Sequence, residues 1–286
     1  MYKWEGLNNQ NINVIKNLFE PIEYETEESL FDLYNSNNLF KRILLWKNIK
    51  FLKINNEYIG FIWFTKIDKS IYRINSFKII SNYNNIEYYE MLLSVLKKNS
   101  GVTCLCKKDD KEFSILTKLG FSKSKTIIEM KKDVVHKVPI INNPEVSFRI
   151  FEKNKDEKLR CKIQNSIFGD LSRAPLDEED IYLEECQRYY YNDGCIFICH
   201  NRIPVGYGQI ILDNGKALIV NFGILEGYRN KGLGKALLYY LLNLVYELKI
   251  KEVYLKCDSD NINALKLYSD NGFQQYNTIY ELYKIN

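Results

Sequence analysis

The sequence predicts a mixed α/β protein that is built from two similar halves. Short apolar runs typical of strands alternate along the chain with segments in which apolar residues recur at helical spacing. Two landmarks occur twice: an apolar strand broken by a glycine after a polar turn, and a short helix that ends at glycine before an aromatic residue. The length of 286 residues suits two domains of about 100–200 residues each.

The two landmarks define the repeat. A polar turn that leads into a strand predicts a β-hairpin, and a glycine after helical spacing predicts a helix end. The second half carries about six more residues than the first between the glycines of the two landmarks, 66 positions against 60. The landmark sequences are NEYIGFI at 56–62 and NRIPVGY at 201–207 for the hairpin, and ILTKLGF at 115–121 and LYSDNGF at 267–273 for the helix end.

The same order of elements is predicted in both halves. The first half is expected to contain a helix near 26–34, hairpin strands within 50–67, a strand at 71–80, a helix at 87–98, a strand at 102–107, a helix at 109–119 and a strand at 124–131. The second half is expected to contain a strand at 147–151, helices at 155–168 and 177–190, strands at 195–200, 205–212 and 217–225, a helix at 232–248, a strand at 252–257, a helix at 261–271 and a strand at 274–284. Turn-rich residues separate the halves, so we expect domains at 1–135 and 147–286 with a linker at 136–146.

The composition excludes several classes of protein. The 46% of hydrophobic residues exclude a disordered chain, and 40 Lys and Arg against 36 Asp and Glu leave a net charge of +4, too small to favour a nucleic-acid partner. Seven scattered cysteines suit a reducing compartment. The first residues lack the apolar stretch of a secretory signal, and no run of about 18 apolar residues predicts a membrane span. We expect a cytoplasmic protein, and the abundant Lys, Asn, Ile and Tyr favour a bacterial one.

A glycine-rich turn carries the clearest chemical information. Residues 223–238, GILEGYRNKGLGKALL, end an apolar strand, turn, and open a long amphipathic helix. Backbone N–H groups at a helix start lack intrahelical partners and lie at the positive end of the dipole, so they can hold a pyrophosphate. The glycines allow close approach and the basic residues add positive charge. A purely structural turn is the alternative interpretation.

These residues resemble the signatures of the GNAT superfamily, the GCN5-related N-acetyltransferases. Residues 229–234, RNKGLG, fit its Arg/Gln-x-x-Gly-x-Gly/Ala signature, and residues 261–268, NINALKLY, followed by Gly272 and Phe273, fit its second signature. The resemblance covers about residues 147–286. It implies two tandem GNAT-like domains, each with a central, mostly antiparallel mixed sheet flanked by helices.

The first half resembles the same fold by its order of elements and its Leu-Gly-Phe ending, but it departs from the signature. No glycine occurs over residues 61–100, where the pyrophosphate loop would lie. The resemblance therefore implies a degenerate first copy that binds no acyl-CoA and serves a structural or substrate-shaping role.

The resemblance also implies roles for residues of the second copy. Tyr268 stands where the family has its usual general acid, which protonates the departing thiolate, although a packing role is the alternative for one of 22 tyrosines. A main-chain N–H near Ile224 would stabilise the oxyanion of the thioester. The expected acetyl-CoA contacts are Phe222, Gly223, Ile224 and Leu225 for pantetheine, Arg229, Asn230, Lys231, Gly232, Leu233, Gly234 and Lys235 for pyrophosphate, and Asn261 for the pantetheine arm.

No residue is identified as the general base. The two positions at which family members carry a glutamate are Leu218 and Lys256. Asn221 either orders a water or is a satisfied buried amide, and the latter is favoured. The acidic residues 177–180 either attract a cationic amine or suit a helix start, and the latter is again favoured. Cys195, Cys199 and His200 have metal-like spacing, but strand alternation would scatter them, so no metal is expected.

The resemblance thus implies an acetyl-CoA-dependent N-acetyltransferase. Its acetyl group would pass to a primary amine by direct attack through a tetrahedral intermediate. The expected partners are acetyl-CoA and an amine-bearing acceptor, with no metal, nucleic acid or membrane. The alternative is a non-catalytic acyl-CoA-binding protein of the same fold that serves sensing or assembly. The acceptor, the length of the acyl group and the oligomeric state are left open.

Overall fold

The computed structural model describes residues 2–14, 46–108, 111–139, 143–169 and 175–286. The chain divides into two compact units. The first unit is Met1–Ile127 together with Thr278–Asn286, and the second unit is Ile128–Asn277. The predicted helix near residues 26–34 lies outside the described residues.

Strands and helices alternate in both units, which confirms the mixed α/β class. In the first part of the chain they are β1 (Tyr2–Gly6), β2 (Ile49–Ile54), β3 (Glu57–Lys66), β4 (Ile71–Ile79), α1 (Ile86–Leu93), β5 (Gly101–Lys107), α2 (Lys111–Lys118) and β6 (Ser122–Asp133). They continue as β7 (Val146–Ile150), α3 (Glu157–Phe168), α4 (Glu178–Glu185), β8 (Tyr190–His200), β9 (Ile203–Asp213), β10 (Lys216–Ile224), α5 (Leu233–Glu247), β11 (Glu252–Asp258), α6 (Ile262–Asp270) and β12 (Gln274–Ile285).

The sheet of the first unit has the order β1-β2-β3-β4-β5, followed by the part of β12 from Thr278 onward. Only β4 and β5 pair in parallel among the neighbours whose register is known. Helix α1 buries Tyr89, Leu92 and Leu93 against this sheet, and α2 buries Leu116.

The sheet of the second unit has the order β6-β11-β10-β9-β8-β7, with β6 represented by residues 128–133. Strands β10 and β11 are parallel, and the pairs from β10 to β7 are antiparallel. Leu237, Leu238, Leu241 and Leu242 of α5 form the centre of its main core, at the helical spacing that the sequence predicts.

The predicted hairpins have the same turn in both halves. The φ angles are 50° and 67° at Asn55 and Asn56, and 50° and 67° at Asn201 and Arg202, which is the pattern of a two-residue type I′ hairpin. The strand glycine that follows each turn allows a close approach of backbones. A Cβ at Gly60 would lie 2.7 Å from the Lys78 carbonyl oxygen, and a Cβ at Gly206 would lie 2.7 Å from that of Gly223.

The predicted helix ends are also confirmed. Gly120 and Gly272 have φ angles of 86° and 84°. After α2, Phe121 N–H donates to the Leu116 carbonyl and Gly120 N–H to that of Thr117. After α6, Phe273 and Gly272 donate to the Tyr268 and Ser269 carbonyls in the same arrangement, a Schellman motif. The two halves therefore repeat the same local structure.

Four elements differ clearly from the sequence prediction. Helix α1 ends at Leu93 rather than near residue 98, and strand β8 begins at Tyr190 rather than at residue 195. Helix α4 ends at Glu185 rather than near residue 190, because the chain turns there and Leu212 N–H of β9 bonds the Tyr189 carbonyl. Strand β1 was not predicted, and it pairs with β2 from Tyr2 to Gly6. No helix within the described ranges is long and apolar enough to cross a membrane.

Two short segments belong to a different compact unit from the one that the predicted linker would give them. Residues 128–135 belong to the second unit, where Met130 and Val134 are buried in the core around α5. Residues 278–286 belong to the first unit, where Leu282 is buried. The boundaries at 135 and 147 remain a prediction about the repeated halves.

Candidate functional site

Strands β10 and β11 separate at the end of their parallel pairing. Their register runs from Ala217 opposite Val253 to Ile219 opposite Leu255. Beyond Ile219, β10 continues beside β9, where Gly223 lies opposite Tyr207 after a register shift. The main chain of residues 222–224 therefore has a partner strand on one side and an opening toward β11 on the other.

Helix α5 begins close to this opening. Its N-cap is Gly232, with a φ of 76°, and no side chain caps the helix. Its first turn has no acidic residue. The first hydrogen bond along the helix is donated by the Ala236 N–H to the Gly232 carbonyl. The N–H groups of residues 232–235 therefore have no partner within the helix and point out of its N-terminal end. An anion can be held at such a helix start.

A cavity of about 590 Å³ lies beside the end of β10, the start of α5 and one face of α6. Nine of the predicted cofactor contacts line it: Phe222, Gly223, Ile224, Arg229, Asn230, Gly232, Gly234, Lys235 and Asn261. The distances from a Cβ placed on each glycine to its nearest neighbours show how much space lies in front of the loop. At Gly232 a Cβ would meet nothing within 4 Å, and at Gly234 it would lie 3.5 Å from Leu267. The loop thus leaves room in front of its backbone for a group the size of a pyrophosphate.

Four predicted site residues are not among those that line the cavity. Leu233 is buried in the core, and Lys231 is exposed with its Nζ 5.3 Å from the centre of the Tyr228 ring. Leu225 follows β10; its N–H donates to the Val205 carbonyl at 2.8 Å, and its own carbonyl accepts from the Tyr228 N–H at 2.9 Å. Tyr268 is the fourth.

Tyr268 packs behind the cavity wall. Its ring lies 5.9 Å from that of Phe222, which lines the cavity, and 5.7 Å from that of Phe273. The side chain is 5% exposed. Burial, and secondarily the neighbouring Cys257, raise the pKa of the Tyr268 phenol well above its ordinary value. The phenol therefore keeps its proton at neutral pH.

Two of the predicted polar contacts also support the local backbone. Arg229 Nε donates to the Ile224 carbonyl at 3.0 Å, which ties the loop to the end of β10. Asn261 caps α6, and its Oδ1 accepts from the Ala264 N–H at 3.2 Å. Both side chains also line the cavity.

Sequence reasoning missed the rest of the cavity wall. Ile167 and Phe168 come from the end of α3, and a Cβ at Gly223 would lie 2.4 Å from Ile167. Tertiary packing brings these two residues to the site, so no local sequence pattern predicts them. One face of α6 supplies the others, Asn263, Ala264, Lys266, Leu267 and Asp270. Their spacing of three to four residues was a usable signal.

The corresponding helix of the first unit, α1, has a side-chain cap and an acidic residue at its N-terminus. The side chain of Asn85 caps α1 by accepting from the Glu87 N–H, and Glu87 places a carboxylate in the first turn. A carboxylate at this position satisfies the helix dipole and repels a phosphate. The two units therefore differ at the position where an anion would bind.

Neither Leu218 nor Lys256, the two positions at which family members carry a glutamate, supplies a carboxylate. Leu218 is half-buried on β10. Lys256 forms an ion pair with Glu129, whose Oε1 lies 3.0 Å from the Lys256 Nζ. Glu129 is 1% exposed and also accepts from Asn277 at 2.6 Å. This buried carboxylate lies on β6, and nothing in the sequence placed it beside Lys256.

The acidic residues before α4 form a helix cap, as the favoured interpretation predicts. Asp177 Oδ1 accepts from the Asp180 N–H at 3.0 Å, and Asp180 Oδ2 accepts from the Asp177 N–H at 3.1 Å. In the described ranges, no three His, Cys, Asp or Glu side chains come together in a way that could hold a metal ion. His200 instead lies 3.2 Å from Glu145.

Comparison with solved structures assigns the fold. The chain superimposes over 99% of its length on 95% of a GCN5-related N-acetyltransferase from Sphaerobacter thermophilus, with a TM-score of 0.76 and 14% identity. A tandem GNAT protein from the clavulanic acid biosynthesis pathway matches 99% of this chain over 98% of its own, with a TM-score of 0.69 and 11% identity. The fold is therefore that of tandem GNAT proteins.

Comparison of sequences finds a family match within the second unit. Residues 163–273 match the family model described as the acetyltransferase (GNAT) family. These residues contain the separated strands, the glycine loop and α6. This stretch of the chain, roughly two fifths of its length, is therefore similar to the GNAT acetyltransferases.

Curated relatives match over a short segment. A spermine/spermidine N(1)-acetyltransferase of Bacillus subtilis is 44% identical over 62 residues, which are 21% of this chain and 41% of the relative. GCN5-related N-acetyltransferase 4, chloroplastic, of Arabidopsis thaliana is 35% identical over 60 residues, 21% of each chain. The chain thus spans about two fifths of the length of the Bacillus relative.

Proposed function

We propose that this protein is an acetyl-CoA-dependent N-acetyltransferase whose second unit transfers an acetyl group to a primary amine. The observation that carries the proposal is the opening between β10 and β11, which leads to the uncapped start of α5. One cavity of about 590 Å³ is lined by both the end of β10 and the start of α5. An extended thioester arm and a pyrophosphate need this combination.

The main chain and the loop bind the cosubstrate. Acetyl-CoA supplies an acetyl group activated as a thioester. The open side of residues 222–224 offers backbone groups to the pantetheine amides, as in strand addition. The N–H groups of residues 232–235 hold the pyrophosphate, with Arg229, Lys231 and Lys235 adding positive charge.

Tyr268 supplies a proton to the leaving group. The amine nitrogen forms a bond to the acetyl carbon, the carbon–sulfur bond breaks, and the sulfur takes a proton from the Tyr268 phenol. The proton lost by the amine passes to water, from which the phenol recovers its own. Burial raises the pKa of Tyr268 and thus keeps the phenol protonated before the transfer.

The acceptor is an amine of unassigned identity. Spermine and spermidine are the first acceptors to test, because the short segment of sequence identity is shared with an enzyme named for them. Helix α1 of the first unit has a side-chain cap and an acidic residue at its N-terminus, and we assign that unit a structural or substrate-shaping role without acyl-CoA. A cytoplasmic location and a bacterial source remain expectations from the composition.

Calorimetry with acetyl-CoA tests the binding site. A Gly232→Glu substitution places a carboxylate where the pyrophosphate would lie. Gly215→Glu is the matched control, since Gly215 also has a positive φ, 78° against 76°, and no atom within 4 Å of an added Cβ. We expect micromolar binding to the wild type and the control, and at least tenfold weaker binding to Gly232→Glu.

Thiol release with a panel of primary amines tests the reaction. Turnover that depends on both acetyl-CoA and the amine supports the transferase. Tight acetyl-CoA binding without transfer to any amine supports the alternative, a non-catalytic acyl-CoA-binding protein. Absence of binding to the wild type contradicts both.

A further inference from the structure

We propose that a buried ion pair, Arg160 with Glu184, fixes the orientation of the Asn221 amide through Gln209, so that Asn221 Oδ1 accepts a hydrogen bond from the acceptor amine. The inference rests on the proposed acetyltransferase function and deepens it by naming a positioning group for the acceptor. It addresses the gap left by Leu218 and Lys256, the positions without a carboxylate.

The ion pair lies between α3, α4 and the sheet. Arg160 is 1% exposed, and its Nη2 donates to Glu184 Oε2 and, at 3.0 Å, to Gln209 Oε1. The guanidinium also stacks over the Tyr207 ring at 5.0 Å. These contacts leave Arg160 little freedom to turn away.

The ion pair determines how the Gln209 amide is oriented. Gln209 is fully buried, and its Nε2 donates to Glu184 Oε1 at 2.9 Å. A carboxylate only accepts hydrogen bonds and a guanidinium only donates them. The amide nitrogen must therefore face Glu184 and the amide oxygen must face Arg160.

Gln209 in turn determines how the Asn221 amide is oriented. Gln209 Oε1 lies 3.1 Å from Asn221 Nδ2, and an oxygen acceptor requires the amide nitrogen there. Asn221 Oδ1 then points away from the network. Within the described parts of the chain this oxygen has no hydrogen-bond partner, and Asn221 is only half-buried.

Asn221 lies at the bulge of β10. The register with β9 shifts between Val220 and Gly223, and Asn221 has a φ of 51°, in the left-handed region. It directly precedes Phe222, the first strand residue that lines the cavity. Residues of α3, α4, β9 and β10 therefore hold this amide oxygen one residue away from the cavity wall. The proposal places the attacking amine where the oxygen accepts its N–H.

Substitution of Asn221 by glycine tests the amide in the full-length protein. Glycine adopts the positive φ without strain, so the change removes the side chain and keeps the backbone. Asn214→Gly is the matched control, because Asn214 has a φ of 49° in an exposed turn. We expect kcat/KM for the amine to fall about tenfold or more in Asn221→Gly, with less than a twofold change in the Kd of acetyl-CoA.

Exchanging the carboxylate and the amide between positions 184 and 209 separates the effect on the orientation of Asn221 from the effect on folding. Gln209→Glu alone brings two carboxylates together, and Glu184→Gln alone removes the acceptor that holds Gln209. The double variant Gln209→Glu/Glu184→Gln restores every donor and acceptor, because the new carboxylate at position 209 would accept from Arg160 and Asn221 while the new amide at position 184 donates to it. We expect each single change to lower kcat/KM for the amine at least fivefold, and the double variant to recover to within about threefold of the wild type.

The outcomes distinguish this inference from the proposed function. Wild-type turnover that is unchanged in Asn221→Gly overturns the inference alone. A double variant that recovers thermal stability but not kcat/KM also overturns it, since the network would then be only structural. A wild type that binds acetyl-CoA but acetylates no amine overturns the proposed function and this inference with it. Loss in Asn221→Gly with recovery in the double variant supports it.

Discussion

At the scale of residues, burial decides what Tyr268 can do. The ring is held by Phe222 and Phe273 and the phenol keeps its proton because burial raises its pKa. Removal of the hydroxyl in Tyr268→Phe leaves the ring contacts in place. We expect kcat to fall about 100-fold while the Kd of acetyl-CoA changes less than twofold.

Steady-state kinetics at pH 7 to 9 and calorimetry check this prediction. The raised pKa implies that ionisation of Tyr268 does not reduce the wild-type rate in that range. A Tyr268→Phe variant with the wild-type kcat would assign the tyrosine to packing alone. Tyr276→Phe is a suitable control, since Tyr276 is 46% exposed and lines no part of the cavity.

A second residue-scale prediction concerns the start of α3. Burial alone would raise the pKa of Asp156, but hydrogen bonds from Arg149 and from the Glu152 N–H outweigh it, so this pKa lies below its ordinary value. A carboxyl with a lowered folded pKa stabilises the fold above its unfolded pKa, near 3.9. This stabilisation is lost as the pH falls through the lower, folded value.

We therefore expect Asp156→Asn to lower the free energy of unfolding by about 1–3 kcal/mol at pH 7. The difference from the wild type should shrink as the pH falls below 4. Denaturant titrations at several pH values measure it, with the exposed Asp193→Asn as control. An equal loss at every pH would contradict the electrostatic origin.

At the scale of elements, two helix starts that occupy equivalent places in the repeat have opposite properties. Helix α1 is capped by Asn85 and carries Glu87 in its first turn. Helix α5 begins at Gly232 without a side-chain cap or an acidic residue. Of these two starts, only that of α5 lacks a side-chain cap, at the proposed pyrophosphate site; a glycine N-cap costs roughly a few tenths of a kcal/mol relative to a capping side chain.

The glycines of this loop allow stability and binding to be separated. Gly234 lies inside α5, and a Cβ there would have ordinary contacts at 3.5 and 3.9 Å. Gly234→Ala should raise the free energy of unfolding by about 0.5–1 kcal/mol, because alanine favours helix. Because the GNAT signature accepts alanine as well as glycine at this position, acetyl-CoA affinity should change less than about twofold.

Gly232→Ala provides the contrast. Its positive φ strains any residue with a Cβ, so stability should fall by about 1–2 kcal/mol although the space is open. Thermal unfolding without ligand and calorimetry with acetyl-CoA measure both quantities. A folded Gly234→Ala variant that no longer binds acetyl-CoA would contradict the match of this position to the signature.

At the scale of the whole molecule, the compact units do not coincide with the two halves of the sequence. Residues 128–135 supply Met130 and Val134 to the core around α5, and Glu129 pairs with Lys256 and Asn277 in the same unit. A fragment that begins at the predicted boundary, residue 147, lacks these contacts. We expect the fragment 128–277 to unfold cooperatively.

The matched fragment 147–277 should be less stable by about 3 kcal/mol or more, since burial of each large apolar side chain contributes about 1.5–3 kcal/mol. Urea titrations followed by circular dichroism compare the two. Equal midpoints would show that the second half folds without residues 128–146, and would support the division drawn from the sequence.

Much of the fold and part of the site followed from local patterns. Hairpin turns, Schellman helix ends and the amphipathic α5 depend on neighbouring residues, so their signals survive in a single sequence. The glycine loop was visible for the same reason. Helix α4 was predicted too long because its last turn was replaced by pairing between β8 and β9.

The sequence by itself determined the repeat, the mixed α/β class and the loop that resembles the GNAT signature, because each is encoded within a few turns of chain. Only the tertiary structure decided that β10 and β11 separate after Ile219, that Arg160 and Glu184 orient Gln209 and Asn221, and that residues 128–135 join the second unit. These features join residues far apart in the chain. Such contacts depend on packing and register, for which a local pattern carries no signal.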